Sequence, residues 1–349
     1  MSVAPLRLGI VGCGGISERR GPAAASTSSV SIVACCDTRL EVAEEWGRRF
    51  GCERAYDDYQ RMIGEHDLDG VLLATWPNLH HEQILGCIGG GIRNVLCEKS
   101  LTLSGAEALD IWQAAEKTGA LVVEGYMYRY HPAFRTLLQL VEDGRIGAVD
   151  NVWAAFSLFD PADAPADDPQ LDWRRRRDRA GGVPWDLAGY CVDAANLIAP
   201  ARPVRAFAVA GTSPRYGTID SLYGIVEYED GIVAMIESSM RSHFNHELRI
   251  GGADGHAILP VAWRIDDASE VLVVRSVEWG VFETERIPVP KTNPYVIQLE
   301  AFAAAARGEA PAPRRLSESV VTACTLDALL RSAAEHTDVP VEIPTGVAG

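Results

Sequence analysis

Apolar and polar positions divide the chain into two parts of different grain. Over residues 1–125, short runs that are apolar on both faces alternate with segments of helical period. Leu6–Val11 ends in glycines and Ser31–Cys36 ends at Asp37, while Gly70–Ala74, Val95–Cys97 and Leu121–Glu124 follow. Leu40 to Phe50 sets Val42, Ala43, Trp46 and Phe50 on one side. Doubly apolar strands separated by helices predict a buried parallel sheet. Ser104-Gly105-Ala106-Glu107 has capping-box spacing and opens a helix that Gly119 should stop.

From about Val149 the runs alternate and become rich in β-branched and aromatic residues. Tyr223–Tyr228 and Ile232–Ile236 flank Glu229-Asp230-Gly231, a hairpin signal, and Asp254-Gly255 marks a second turn. Val271–Val274 and Val281–Ile287 continue the pattern. Two helices close the chain, one from Asn293-Pro294 and one from near Ser317. The expected class is α/β: a doubly wound, Rossmann-type parallel-sheet domain over 1–125, then an α+β domain over 126–349 with an open, mostly antiparallel sheet. The last helix is free to pack back on the first domain. Asp160–Asp168, rich in Asp, Pro and Ala, is expected as a surface loop. An open sheet with one uncovered face needs a partner surface, so a homodimer or homotetramer is expected.

Composition narrows the function. Lys plus Arg number 32 against 48 Asp plus Glu, a formal charge of −16. That excess argues against a nucleic-acid partner and against an anionic membrane surface, and leaves room for a cationic substrate. No apolar stretch reaches the ~18 residues of a membrane span. The N-terminus lacks a basic region or cleavage site, so the chain is expected in the cytoplasm. None of the eight cysteines forms C-x-x-C, and most sit in apolar runs, which points to buried free thiols. His80, His81 and His131 lack metal-ligand spacing, so no metal is expected.

The chemistry begins after the first strand. In Gly12-Cys13-Gly14-Gly15-Ile16-Ser17, Gly12 permits a tight turn and Gly14 lets backbone N–H groups approach a pyrophosphate at a helix N-terminus. Ser17 stands where the dinucleotide fingerprint has its third glycine. Asp37 closes the second strand at the distance expected of a ribose-binding carboxylate, which favours NAD over NADP. Arg39, beside Thr38, weakens that preference because it can pair with a phosphate. Three further motifs follow strand ends, where an open parallel sheet binds ligands. They are Thr75-Trp76-Pro77-Asn78-Leu79-His80-His81, Glu98-Lys99, and Met127-Tyr128-Arg129-Tyr130-His131-Pro132.

On these motifs the chain resembles the Gfo/Idh/MocA family of sugar and cyclitol oxidoreductases over nearly its whole length. Pro77-Asn78…His81 is similar to the family's T-P-N-x-x-H, Glu98-Lys99-Ser100 to E-K-P, and Met127-x-Arg129-x-x-Pro132 to M-x-R-x-x-P. Gly181-Gly182 and Asp186-Leu187-Ala188-Gly189-Tyr190-Cys191-Val192-Asp193 resemble a glycine run followed by D-x-x-x-H-x-x-D, with Tyr190 in the histidine position. The resemblance implies a nicotinamide cofactor and hydride transfer at a carbinol or ketone carbon of a small, polar, sugar-like substrate. It places Trp173 and Arg174 near cofactor or substrate, with the other arginines of Arg174–Arg177 paired to Asp172, Asp178 and solvent.

Tyr190 with Lys99 looks like the branch that holds glucose–fructose oxidoreductase, xylose dehydrogenase and dihydrodiol dehydrogenase. Oxidising an alcohol needs a base for its proton, and an ammonium beside a phenol favours phenolate. Lys99, Tyr190 and Asp186 are therefore the candidate catalytic set. Tyr128 and Asp193 join them as candidate substrate contacts. Trp76, Tyr128, Tyr130, Trp153 and Trp185 offer flat faces for a sugar ring. Two alternatives stand beside this reading: reduction of a nucleotide-linked ketosugar, with the arginine run gripping a diphosphate, and a nucleotide-sensing regulatory protein, against which Lys99 argues.

Overall fold

The computed structural model describes residues 4–160, 173–263, 269–312 and 314–347. The chain divides into two units, one of residues 1–127 with 295–319, the other of 128–294 with 320–349. Most of the expected Asp160–Asp168 loop, and Asp172, lie outside the described residues.

The first unit alternates strand and helix: β1 Leu6–Val11, α1 Ser17–Ala25, β2 Val30–Cys36, α2 Leu40–Phe50, β3 Arg54–Tyr56, α3 Tyr59–Glu65, β4 Gly70–Leu73, α4 Pro77–Gly89, β5 Asn94–Cys97, α5 Gly105–Thr118 and β6 Leu121–Glu124. The strands form one sheet in the order β3-β2-β1-β4-β5-β6, and every pairing is parallel. The order reverses between β1 and β4, the switch point at which such sheets bind ligands. One face buries Ala23, Trp46, Leu299 and Phe302; the other buries Met62, Ile84, Cys87 and Ile111. Helices on both faces explain why these strands carry no polar alternation. β3, three residues long, escaped the sequence pattern. Ser104 caps α5 by accepting the Glu107 N–H at 3.2 Å. Glu107 reaches back to the N–H of Leu103 at 2.9 Å, one residue earlier than the usual box. Gly119 ends the helix at φ +67°.

The second unit holds α6 Pro132–Glu142, β7 Val149–Ser157, α7 Gly189–Ile198, β8 Pro203–Thr212, β9 Ile219–Tyr228, β10 Val233–Ser239, β11 Leu248–Gly252, β12 Gly255–Leu259, β13 Ser269–Glu278 and β14 Val281–Val289. α8 Pro294–Ala306 falls almost wholly in the first unit, the unit boundary lies within α9 Leu316–Glu335, and β15 Val339–Pro340 ends the order. Nine strands form a sheet in the order β14-β13-β12-β11-β7-β10-β9-β8-β15, antiparallel except where β10 meets β7. α6, α7 and the later turns of α9 pack on one face. On the opposite face Phe207, Ile225, Met235 and Trp153 stand in one cross-strand row. Phe207 and Ile225 are each 43% exposed and Met235 is 39% exposed, so this face carries apolar side chains in the open.

Candidate active site

The glycine loop has the geometry a dinucleotide needs. Gly12 adopts φ +93°, and a Cβ there would stand 2.7 Å from the Ala74 carbonyl oxygen. Both facts require glycine. Gly14 and Gly15 face open space, with no atom within 4 Å of where a Cβ would sit. The buried Ser17 hydroxyl donates to the Gly14 carbonyl at 2.5 Å, so the replacement for the third glycine braces the loop. One Asp37 oxygen accepts the Cys13 N–H and the other the Arg39 N–H, both at 3.1 Å. The carboxylate at the end of β2 thus ties the loop to the next turn, with Thr38 and Arg39 exposed beside it. An open glycine cradle, a helix N-terminus and a strand-end carboxylate at the switch point fit a dinucleotide.

Lys99 is half-buried just past β5. Its neighbours are held by side chains from three other elements. Glu98 pairs with fully buried Arg20 of α1 at 2.5 Å, and Arg20 also donates to Gln298 of α8 at 2.6 Å. The Ser100 carbonyl lies 2.7 Å from Nδ1 of His80, and the other ring nitrogen lies 3.2 Å from the Thr75 carbonyl. Burial pushes the His80 pKa down. The Leu101 N–H donates to Glu124 at 2.8 Å. Glu124 is paired in turn with buried Arg314 at 2.9 Å. Breaking such a buried pair by removing one partner costs on the order of 3–5 kcal/mol. The Lys99–Ser100 peptide bond is cis.

Of the remaining expected cofactor residues in this unit, Asn78 and Trp76 are exposed at the start of α4, and Thr75 donates to Gln83 at 2.5 Å. His81 points along the outer side of α4 to Asp110 at 2.9 Å. His80, one position earlier, is the histidine that reaches the strand ends. The sequence carried a signal for it, because Pro77, His80, Ile84, Cys87 and Ile88 form one buried stripe on α4. Arg20, Glu124 and Arg314 were also missed.

In the second unit the π-turn Pro184–Ala188 and α7 present Asp186 and Tyr190. Asp186 is 2% exposed and pairs with Arg174 at 2.5 Å. Arg174 also lies over the Trp173 ring at 4.7 Å. Tyr190 is buried among aromatic rings, 5.2 Å from Phe156, 5.8 Å from Tyr128 and 5.9 Å from Trp263. Tyr128 and Asp193 were expected at the substrate; here both are occupied within the protein. Asp193 is fully buried, accepts from Tyr128 at 2.5 Å, and takes Arg129 through two bonds of 2.8 Å. Arg129, expected at the cofactor, is committed to that carboxylate. Two more arginines of the run are paired as well: Arg175 with Asp160, and Arg176 with Asp178 at 2.8 Å. No cluster of metal-binding side chains occurs among the described residues.

Residues 6–126 match the oxidoreductase family with an NAD-binding Rossmann fold, GFO_IDH_MocA, and residues 134–258 match the GFO/IDH/MocA C-terminal domain. The chain belongs to the Gfo/Idh/MocA family of oxidoreductases. Among Gfo/Idh/MocA relatives, D-xylose 1-dehydrogenase (NADP(+)) 2 of Haloferax volcanii is 30% identical over 97% of this chain and 100% of its own. A 3-ketoreductase from Actinomadura kijaniata, solved with NADP and TDP-benzene, superposes with a TM-score of 0.84 at 24% identity, covering 94% of this chain and 98% of that one. Levoglucosan dehydrogenase, solved with NADH and L-sorbose, gives 0.86 at 21% identity, covering 98% and 100%. The two solved structures establish the shared fold. Family membership makes this chain an oxidoreductase whose first unit is an NAD(P)-binding Rossmann fold.

Proposed function

We propose that this enzyme moves hydride between NAD(P) and a CH–OH or ketone carbon of a free, uncharged sugar or cyclitol. The observation that carries the reading is a half-buried lysine at the β5 end, in the same sheet as a complete dinucleotide loop. Bound nicotinamide supplies the hydride acceptor or donor. Lys99 stabilises the oxygen on which negative charge develops. Tyr190 takes or returns the hydroxyl proton, its ring fixed by its aromatic neighbours. Asp186, held by Arg174, accepts hydrogen bonds from substrate hydroxyls. Tyr128, Arg129 and Asp193 hold α7 and so aim Tyr190.

Two features support the finer choices. Arg174, Arg175 and Arg176 each pair with an aspartate, which engages three of the run's four arginines and weakens its grip on a nucleotide diphosphate. Free sugars are therefore favoured over nucleotide-linked ones. Asp37 already accepts one backbone N–H on each oxygen, and Arg39 stands exposed beside it where it can pair with a 2′-phosphate, so NADP is accepted at least as well as NAD. The Haloferax relative, an NADP-dependent dehydrogenase of a free sugar, agrees with both choices. The test is a screen of aldoses, cyclitols and dTDP-linked ketosugars with each cofactor. The expected result is turnover of a free sugar with kcat/KM for NADP equal to or above that for NAD. Turnover confined to nucleotide-linked substrates, or a marked preference for NAD, overturns the respective choice.

A further inference from the structure

Four residues, Glu98 to Leu101, carry three separate restraints that leave Lys99 in their middle. The Glu98 side chain goes to Arg20, the Ser100 carbonyl to His80, and the Leu101 N–H to Glu124. The third restraint depends on a residue remote in sequence. Glu124 ends β6, where it stands opposite Cys97 of β5. It is 4% exposed, and its second oxygen meets Arg314, itself 2% exposed. Arg314 is oriented by a bond of 2.9 Å to Ser319 and by stacking 4.9 Å over the Tyr126 ring. A buried carboxylate bonded to one backbone N–H needs a counter-charge to remain ionised and in place.

We propose that Arg314, acting through Glu124, is a positioning residue for Lys99. With the guanidinium present, Glu124 holds the Leu101 N–H and fixes the backbone that carries the lysine. Without it, the carboxylate is a buried charge with no counter-charge, it is drawn toward water, and Leu101 loses its acceptor. The inference rests on Lys99 acting at the reacting oxygen.

The test compares Arg314→Met, Arg314→Lys, Glu124→Gln and Lys99→Ala, with each of the first three also made in the Lys99→Ala background. Arg314→Met should lower kcat on the order of 10–100-fold, the scale of misplacing a reacting group by about an ångström. KM for the cofactor should stay within about threefold, since the glycine loop is untouched. Arg314→Lys should recover part of the loss. Amide hydrogen exchange at Leu101 should quicken in Arg314→Met, a readout independent of turnover. In the Lys99→Ala background Arg314→Met should cost little more, because residues that act through one group are not additive. If Arg314→Met does not fold, Glu124→Gln, whose neutral oxygen no longer draws the guanidinium and holds the Leu101 N–H more weakly, carries the same comparison. An equal loss from Arg314→Met or Glu124→Gln with and without Lys99, or unchanged exchange at Leu101, overturns the positioning role. Full activity in Lys99→Ala instead overturns the reading of the site itself.

Discussion

A lysine ammonium contributes to alcohol oxidation in two ways: it lowers the energy of the developing alkoxide, and it favours the phenolate of a nearby tyrosine. Lys99→Ala is therefore expected to lose on the order of 10²–10⁴-fold in kcat. Tyr190→Phe should lower kcat and alter its alkaline limb while leaving the cofactor's dissociation constant near wild type. Asp186→Asn should act mainly on the KM for the sugar. Stopped-flow and steady-state kinetics over pH check all three, and full activity in Tyr190→Phe would move the proton role to Lys99 and Asp186. These residues were legible in the sequence because each stands in a motif at a strand end or helix start. Arg20 and Arg314 were not. The partners of Arg20 lie 78 and 278 positions away, and an arginine beside a second arginine, as at Arg19-Arg20 and Arg314-Arg315, reads as surface. Strand-end acids such as Glu98 and Glu124 were the available hint, since a buried carboxylate demands a cation that the local sequence does not supply.

At the scale of elements, hydrophobic period and turn chemistry located β1, β2, β4, β5, β6, α2 and α5 of the first unit to within a residue or two, while α3, α4 and β3 went unread. That strand is too short to show a period and exists through pairing with β2. Helix α6 shows what pattern alone does not disclose. Its cap is His131, whose Nδ1 accepts the Ala133 N–H at 3.1 Å. Burial pushes the pKa of His131 from the ordinary 6.5 down to about 4. The unfolded chain takes up this proton as pH falls below about 6.5, while the folded chain resists until about 4. The stability tied to a neutral His131 is thus complete above the first value and is lost as pH drops toward the second. His131→Asn keeps a capping oxygen without the titration. Urea unfolding between pH 7 and pH 4 should show a shallower loss in this variant, on the order of 1–2 kcal/mol less than wild type. Equal slopes would mean that protonation of the cap does not couple to folding.

The whole molecule presents the open face of the nine-stranded sheet, with Phe207, Ile225, Met235 and Trp153 in a row and Val209 paired to Tyr223 alongside. A contiguous apolar row of this kind calls for a covering surface. Multi-angle light scattering is expected to report a dimer or tetramer, and Ile225→Lys with Met235→Lys should shift it to a smaller species without unfolding it. A monomer in the unaltered protein would show that the face stays in water. The alternation of β-branched and polar residues after Val149 made this sheet legible. The face left open depends on where the helices settle, which no local pattern records.

Gln298 and Arg314 have a consequence for how the protein is made. Both belong to the 295–319 stretch that completes the nucleotide-binding unit, where they meet Arg20 and Glu124. During synthesis Arg20 and Glu98 therefore emerge together, whereas Glu124 waits for residues 128–294 to be made before Arg314 follows. A chaperone-free translation of residues 1–127 alone would yield a sheet with its strands present and its strand-end carboxylate Glu124 without the arginine that balances it.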